Sequence, residues 1–206
     1  MPAVSPALVA PLFSRYPERF EGGVPATTMK EYKELTIVEV IQQYDAGDVN
    51  FDRLDFRSAD LEKVNLSGAS LRFSDLSGAN LRGANLQWVD FSNAKLSEAN
   101  LGGADLTGAK LNSADLSWAK VSGAKLGGAD LTAAKLWETN LRGADLTMAN
   151  LSRVDLSWAR ISEANLSGAD LATADLSWVN ALGARFDADT RFPEGFQPHQ
   201  YKMVRL

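Results

Sequence analysis

The chain has 206 residues, a formal net charge of −5 and 45% hydrophobic residues, with one histidine and no cysteine. That length and balance suit one soluble domain, or a domain with tails. Zero cysteine excludes disulfides and thiolate metal sites and fits a reducing compartment, the acidic balance argues against binding nucleic acid through its phosphates, and no apolar run reaches the ~18 residues of a membrane span.

Residues 1–27 carry five prolines, which forbid a long regular element. The first twenty lack a basic n-region and make a poor secretory signal. Leu8, Val9, Leu12, Phe13, Tyr16 and Phe20 are nevertheless unusually apolar for a free linker, so this tail is expected to dock on something. Residues 28–48 read as a helical cap, with the helix itself at about 37–46. Thr36 and Glu39 have capping-box spacing, and Leu35 with Val40 has the spacing of a hydrophobic staple. Ile37, Val40, Ile41 and Tyr44 follow a helical period, and Gly47 is placed to end the helix.

From residue 49 to 188 the period is five, which neither a helix nor a strand possesses. An apolar residue, usually Leu, recurs in unbroken steps from Phe51 to Phe186, giving 28 pentapeptides. Taking that residue as position i, position i−2 is Ala in 20 of them and position i−1 is Asp or Asn in 20. Positions i+1 and i+2 are mostly Ser, Thr, Gly, Arg or Glu. One large and one small apolar position separated by polar ones describe a flat side of a narrow solenoid. Leu fills its centre, and Ala sits where the backbone turns.

The charges choose the number of sides per coil. In stacked coils equivalent residues lie ~4.8 Å apart, where two like charges repel by roughly 0.9 kcal/mol even in water. A pitch of 15 residues would align Lys95, Lys110 and Lys125, and a pitch of 25 would align Lys110, Lys135, Arg160 and Arg185. A pitch of 20 aligns no two basic i−1 residues, and one column then reads Asp75, Lys95, Asp115, Lys135, Asp155. Four pentapeptides per coil, about seven coils and a rod of ~34 Å follow. Residues 189–206 lose the period but keep Phe192, Phe196, Tyr201 and Met203, an irregular C-terminal cap in which Pro198 could start a helical turn.

"ADLSW", "ANLSG", "ADLTG" and "ANLRG" resemble the A-(D/N)-L-x-x unit of pentapeptide repeat proteins. The resemblance implies an all-β solenoid, a right-handed quadrilateral β-helix with i and i−2 inside. The helix followed by "AGD", and the aromatic closing segment, resemble the cyanobacterial branch of that family. Relatives in that branch act through protein partners in differentiation or photosynthetic assemblies, which implies a cytoplasmic protein associated with such an assembly.

A Leu-filled tube leaves no interior cavity, and no acid, base and nucleophile converge, so no enzyme activity, cofactor or metal is expected. His199 lies in the closing segment without a partner set. The family's best-known activity, DNA mimicry by quinolone-resistance members that bind gyrase, depends on strong negative potential. Here residues 49–188 hold 14 Lys plus Arg against 17 Asp plus Glu, and lysines interrupt the acidic columns. The gyrase modulator is therefore the alternative, and a non-enzymatic scaffold that binds a protein partner or a second copy of itself is the leading expectation. At a pitch of 20, Trp118, Trp158 and Trp178 fall at i+2 on one side, and Trp137 at i+1 of the same side lies in the coil between the first two. This stripe is the candidate binding site, with Glu138 and Arg153 on its polar rim. Trp88 belongs to another side. A partner, a second copy or residues 1–27 folded back could cover the stripe, because bare patches of this size are uncommon.

Overall fold

The computed structural model describes residues 11–12 and 35–206. Strand β1 (Pro11–Leu12) pairs antiparallel with β2 (Leu35–Thr36), which leads directly into helix α1 (Ile37–Asp45). The rest of residues 1–34 lies outside the described residues, and so does the expectation that residues 1–27 run along the tryptophans. The expected staple between Leu35 and Val40 rests on the Leu35 side chain, which is likewise outside what is described. The capping box forms: the Thr36 hydroxyl accepts from the Glu39 N–H at 3.2 Å, and the Glu39 carboxylate accepts from the Thr36 N–H at 2.8 Å. Gly47, at φ +96°, follows the last helical residues. Ile37 and Val40 are buried, and Ile41 and Tyr44 pack beside them on the first repeats. The Tyr44 hydroxyl ties the helix down by donating to the Ser67 carbonyl at 2.7 Å.

The pitch of the run is 20. Parallel bridges join Asn50 to Ser70, Asp55 to Asp75, Asp60 to Asn80, and so on to Asn165 and Arg185. Each bridge uses the same ladder: the residue at i donates to the carbonyl 19 residues on, as Leu116 does to Lys135 at 2.8 Å. The i+2 residue donates similarly, Trp118 to Trp137 at 3.0 Å. Within the rod each backbone segment is thus satisfied by the coils above and below, which allows a tube this narrow; the last coil is the exception.

Each corner is a β-turn from i to i+3, closed for instance by the Ala134 N–H on the Leu131 carbonyl at 2.9 Å. Its third residue, position i+2, has positive φ throughout the run except at Thr173 and at the final Ala188, the arrangement of a type II turn. Glycine suits that position, but Trp118, Glu138, Trp158 and Trp178 adopt it too, at φ values of 52° to 61°. The Asp and Asn at i−1 serve the same corner. Their carboxylate or amide oxygen accepts the N–H two residues on, as Asp115 does from Ser117 at 3.0 Å and Asp155 from Ser157 at 2.9 Å. This Asx-turn gives position i−1 a local structural task beyond solubility.

The i and i−2 side chains form one continuous core, with Leu66 through Leu171 essentially inaccessible. The ends depart from the pattern. Val49 at the first i−2 position is exposed, Leu54 and Val64 are half-buried, and so is Phe186 at the last i position. Polar residues at i−2 are satisfied: Ser74 donates to the Phe51 carbonyl and accepts the Leu54 N–H, and Thr139 donates to the Leu116 carbonyl at 2.7 Å. Beyond Phe186 the register slips, so that Asp170 bridges Arg191, 21 residues away. Strand β3 (Arg185–Phe186) then pairs parallel with β4 (Val204–Arg205). Between them Phe186, Phe192, Phe196 and Tyr201 form a chain of ring contacts with centroids 4.6–5.4 Å apart, and a 3₁₀ helix spans Pro198–Tyr201 with Pro198 at its start.

Candidate interaction surface

The outer wall offers little concavity. Where Gly102 and Gly103 remove two side chains, a shallow depression of about 350 Å³ opens beside Lys63, Arg82 and Ser122, with no carboxylate or nucleophile aimed into it. Among the described residues no three His, Cys, Asp or Glu side chains stand together as a metal-binding group. His199 is exposed on the 3₁₀ helix.

The tryptophans do come together, as two pairs. Trp118 and Trp137 meet edge to face with centroids 4.7 Å apart, and Trp158 and Trp178 stack at 5.4 Å. Both geometries suit the ring quadrupole. The 20-residue register explains the grouping. Trp118, Glu138, Trp158 and Trp178 occupy one column of corners, so Glu138 interrupts it, and Trp137 brings its ring alongside Trp118 from the neighbouring position. Mutual packing leaves Trp118, Trp158 and Trp178 at 49%, 54% and 74% exposure, so the patch is smaller than four bare rings. Arg153 is exposed but belongs to the column Ser113, Ala133, Arg153, Thr173, one corner away from the tryptophans. Trp88 stands apart on another column with its ring over Gly108, where a Cβ would come within 2.3 Å of it.

Charge is partitioned between the two sides that meet at the tryptophan corner. The side preceding it holds Asp55, Asp75, Asp115, Asp155, Asp175, Glu98 and Glu138 against Arg57, Lys95 and Lys135. The side following it holds Lys63, Arg82, Lys120, Arg142 and Arg160 against Asp60, Glu62 and Glu163. Aromatic rings therefore separate an acidic wall from a basic one. This polarity was readable from the pitch alone but is lost when charge is summed over the whole run. Opposite charges also pair along the columns: Lys95 reaches Asp75 at 3.7 Å, and Lys125 reaches Asp105 at 3.2 Å. Burial opposes ionisation of Asp105. Hydrogen bonds from the Thr107 hydroxyl and N–H, Gln87 and Lys125 outweigh it and hold the carboxyl down to about 2. The Ser177 hydroxyl and N–H likewise hold Asp175 below the ordinary carboxylate value.

A family model for pentapeptide repeats matches the chain in 8 copies, over residues 50–87, 90–128, 124–160 and 149–187. Among solved structures the chain is similar to a trypsin-treated form of QnrB1, a plasmid-mediated fluoroquinolone resistance protein. That likeness is at 20% identity with a TM-score of 0.57, covering 67% of this chain and 68% of that one, and it shows the fold. The chain is also similar to alr5209, a pentapeptide repeat protein from Nostoc PCC 7120, at 26% identity and a TM-score of 0.34 over 83% and 96% of the two chains. HetL, a pentapeptide repeat protein involved in heterocyst differentiation regulation in Nostoc sp. strain PCC 7120, matches at 25% identity and a TM-score of 0.31, over 83% of this chain and 93% of its own. No curated protein matches the chain significantly.

Proposed function

The chain belongs to the pentapeptide repeat family, whose members form right-handed quadrilateral β-helices, and on that premise we propose that it is a non-enzymatic interaction rod that docks a protein partner along the tryptophan corner. In this reading residues 49–188 are a scaffold of about seven coils, closed by the α1 segment and by the aromatic segment 189–206. Its task is to hold Trp118, Trp137, Trp158 and Trp178 rigidly at one edge.

The observation that carries the reading is the clustering of four tryptophans into two half-exposed ring contacts at one corner, while other large apolar side chains of the outer wall, such as Trp88 and Met148, stand on another column. Large aromatics at positive φ are an uncommon choice, because the same corner accepts Gly or Ser without loss of the fold. Tryptophan is also the side chain most often found at the energetic centre of interfaces. Glu138 within the column and Arg153 at the adjacent corner supply charge at its margin. One observation favours the alternative, a DNA-mimic modulator of gyrase: negative charge is concentrated on one side of the rod. Lys95 and Lys135 break that side at alternate coils, which weakens it as an imitation of a phosphate backbone.

The test is a pull-down from native lysate with wild type and with Trp118→Ser, Trp158→Ser and Trp178→Ser combined, each with and without residues 1–27. Serine already occupies the equivalent corner at Ser58 and Ser113, at φ 55° and 57°, so the variant retains its fold, which circular dichroism verifies. A specific partner held by wild type and lost by the triple variant is expected. The same partners on all four proteins would refute the reading.

A further inference from the structure

Inside the rod both edges of every rung are bonded, but on the side that carries the tryptophans the ladder stops at Asp175–Trp178. Leu156 and Trp158 donate their N–H groups to Asp175 and Ser177, both at 2.9 Å. The equivalent N–H groups of Leu176 and Trp178 have no acceptor among the described residues, and no bridge covers Asp175 from above. The preceding side is closed by the Leu171 N–H on the Arg191 carbonyl at 2.7 Å. On the following side the Gly183 N–H reaches the Lys202 carbonyl at 3.0 Å, while the Ala181 N–H has no acceptor among the described residues, so the open edge runs on to Ala181.

Exposure confirms that this stretch of edge is open. Asp115 and Asp155 are half-buried and Asp175 is exposed; Ser117 is buried, Ser157 half-buried and Ser177 exposed. Beneath them Ala174, Leu176 and Val179 are 6–8% exposed, where Val154, Leu156 and Ala159 one rung lower are at 0–1%. The charge column is also unfinished. It reads Asp55, Asp75, Lys95, Asp115, Lys135, Asp155 and Asp175, with acid beside acid at both ends and nothing basic beyond Asp175 to pair with it.

We propose that this open rung takes an extended segment of a partner protein, aligned parallel to Asp175–Trp178, with Lys or Arg over Asp175 and an apolar residue next to it over Leu176. Strand addition of this kind draws its affinity from main-chain hydrogen bonds and its specificity from alternate side chains. The incoming carbonyls accept from Leu176 and Trp178, the basic residue pairs with Asp175 at the end of its column, and the apolar one covers the exposed end of the core. A second copy fits less well. Two such edges can meet only antiparallel about Asp175, exchanging Leu176 N–H and Ala174 carbonyl groups, and that sets two carboxylates directly opposite each other. The rung ends at Trp178, whose ring stacks on Trp158, so it adjoins the tryptophan corner; the test below reads the Leu176 and Trp178 amides and the charge at Asp175, and so can fail independently of the pull-down.

The test uses the full chain, labelled with nitrogen-15, and a synthetic peptide copying residues 92–99, Ser-Asn-Ala-Lys-Leu-Ser-Glu-Ala, the segment that covers the Asp75 rung. In the free protein the Leu176 and Trp178 amides exchange with solvent faster than those of Leu156 and Trp158. The peptide, taken to millimolar concentration, shifts the Leu176 and Trp178 resonances and binds roughly five-fold more tightly than its Lys95→Glu version. Asp175→Lys reverses that preference; basic residues already occupy position i−1 at seven places, so the variant folds. Several results would overturn the proposal: no shifts, equal affinity for both peptides, or an unchanged preference in Asp175→Lys. Slow exchange of both amides in the free protein would assign the edge to the chain's own residues. Shifts that depend on protein concentration alone would assign it to a second copy.

Discussion

Ala133 and Ala134 are chemically identical neighbours, and the fold predicts opposite responses to the same change. Ala133 is the third residue of a corner turn, at φ 57°, with a partly exposed methyl. An L-residue held there costs roughly 1–2 kcal/mol that glycine escapes. Glycine's greater freedom in the unfolded chain takes back about 0.4–1 kcal/mol. Ala133→Gly is therefore expected to stabilise by about 0.5–1 kcal/mol. Ala134 lies at i−2, 1% exposed, outside the positive-φ region. There glycine adds about 0.5–1 kcal/mol of backbone cost and forfeits a buried methyl worth about 0.8 kcal/mol. Ala134→Gly should thus destabilise by about 1.3–1.8 kcal/mol.

Both substitutions sit in one coil, so they report on the same unfolding unit even if the rod does not melt in a single step. Parallel thermal melts suffice, because 1 kcal/mol moves the midpoint by roughly 2–4 °C in a domain of this size. A rise for Ala133→Gly and a larger fall for Ala134→Gly is expected. If both midpoints fall equally, the corner is not held at positive φ by the coil, and the account of position i+2 is wrong.

Ala134→Leu should overpack the same tight corner and cost about 1–3 kcal/mol, and an unchanged melt would contradict the inward placement of i−2. Lys135→Asp sets a carboxylate between Asp115 and Asp155, the residues bridged to it on either side. The loss should be ~1 kcal/mol in low salt and shrink as salt is added, and a loss indifferent to salt would contradict the column electrostatics. Asp105 is held at about 2 against an ordinary 3.8, so its contribution is present above pH ~4 and lost as the pH falls through about 2. Asp105→Asn should flatten that part of the stability profile in melts at pH 5, 3 and 2; an unchanged profile would show that the carboxylate does not matter there. Purified protein is expected to leave gyrase supercoiling uninhibited at near-stoichiometric ratio, and inhibition there would make the DNA-mimic reading the leading one.

Much of this fold is legible because a five-residue repeat leaves few geometries, and the spacing of seven basic residues at i−1 selects the 20-residue pitch. What the pattern concealed lies in the corners. Glycine stands at i+2 ten times within the run and at i+1 only at Gly102 and Gly127, which is the sequence mark of a turn with positive φ at its third residue. Averaging both positions as "outward and small" erases that mark. The Asp and Asn of i−1 were equally ambiguous: an acceptor for the next corner's N–H and a solubilising ladder demand the same residues. Only the hydrogen bonds, such as Asp155 to both the N–H and the hydroxyl of Ser157, separate the two roles.

The candidate site was legible in position and obscure in grouping, for a related reason. Once the pitch is known, Trp118, Trp158 and Trp178 must share a column, but rotamers decide which rings touch, and outward side chains escape the core's constraint. A repeating scaffold thus divides its information unevenly. Residues that obey the period specify the rod, and any obedient sequence would do so. Residues that depart from it without a structural need are free to carry recognition. Four tryptophans at one corner and the missing rung above Leu176 are departures of that kind, and Trp158 and Trp178 bring them together toward the C-terminal part of one side. On the two proposals made above, a partner is to be sought there, by chemistry that joins aromatic contact with a basic strand.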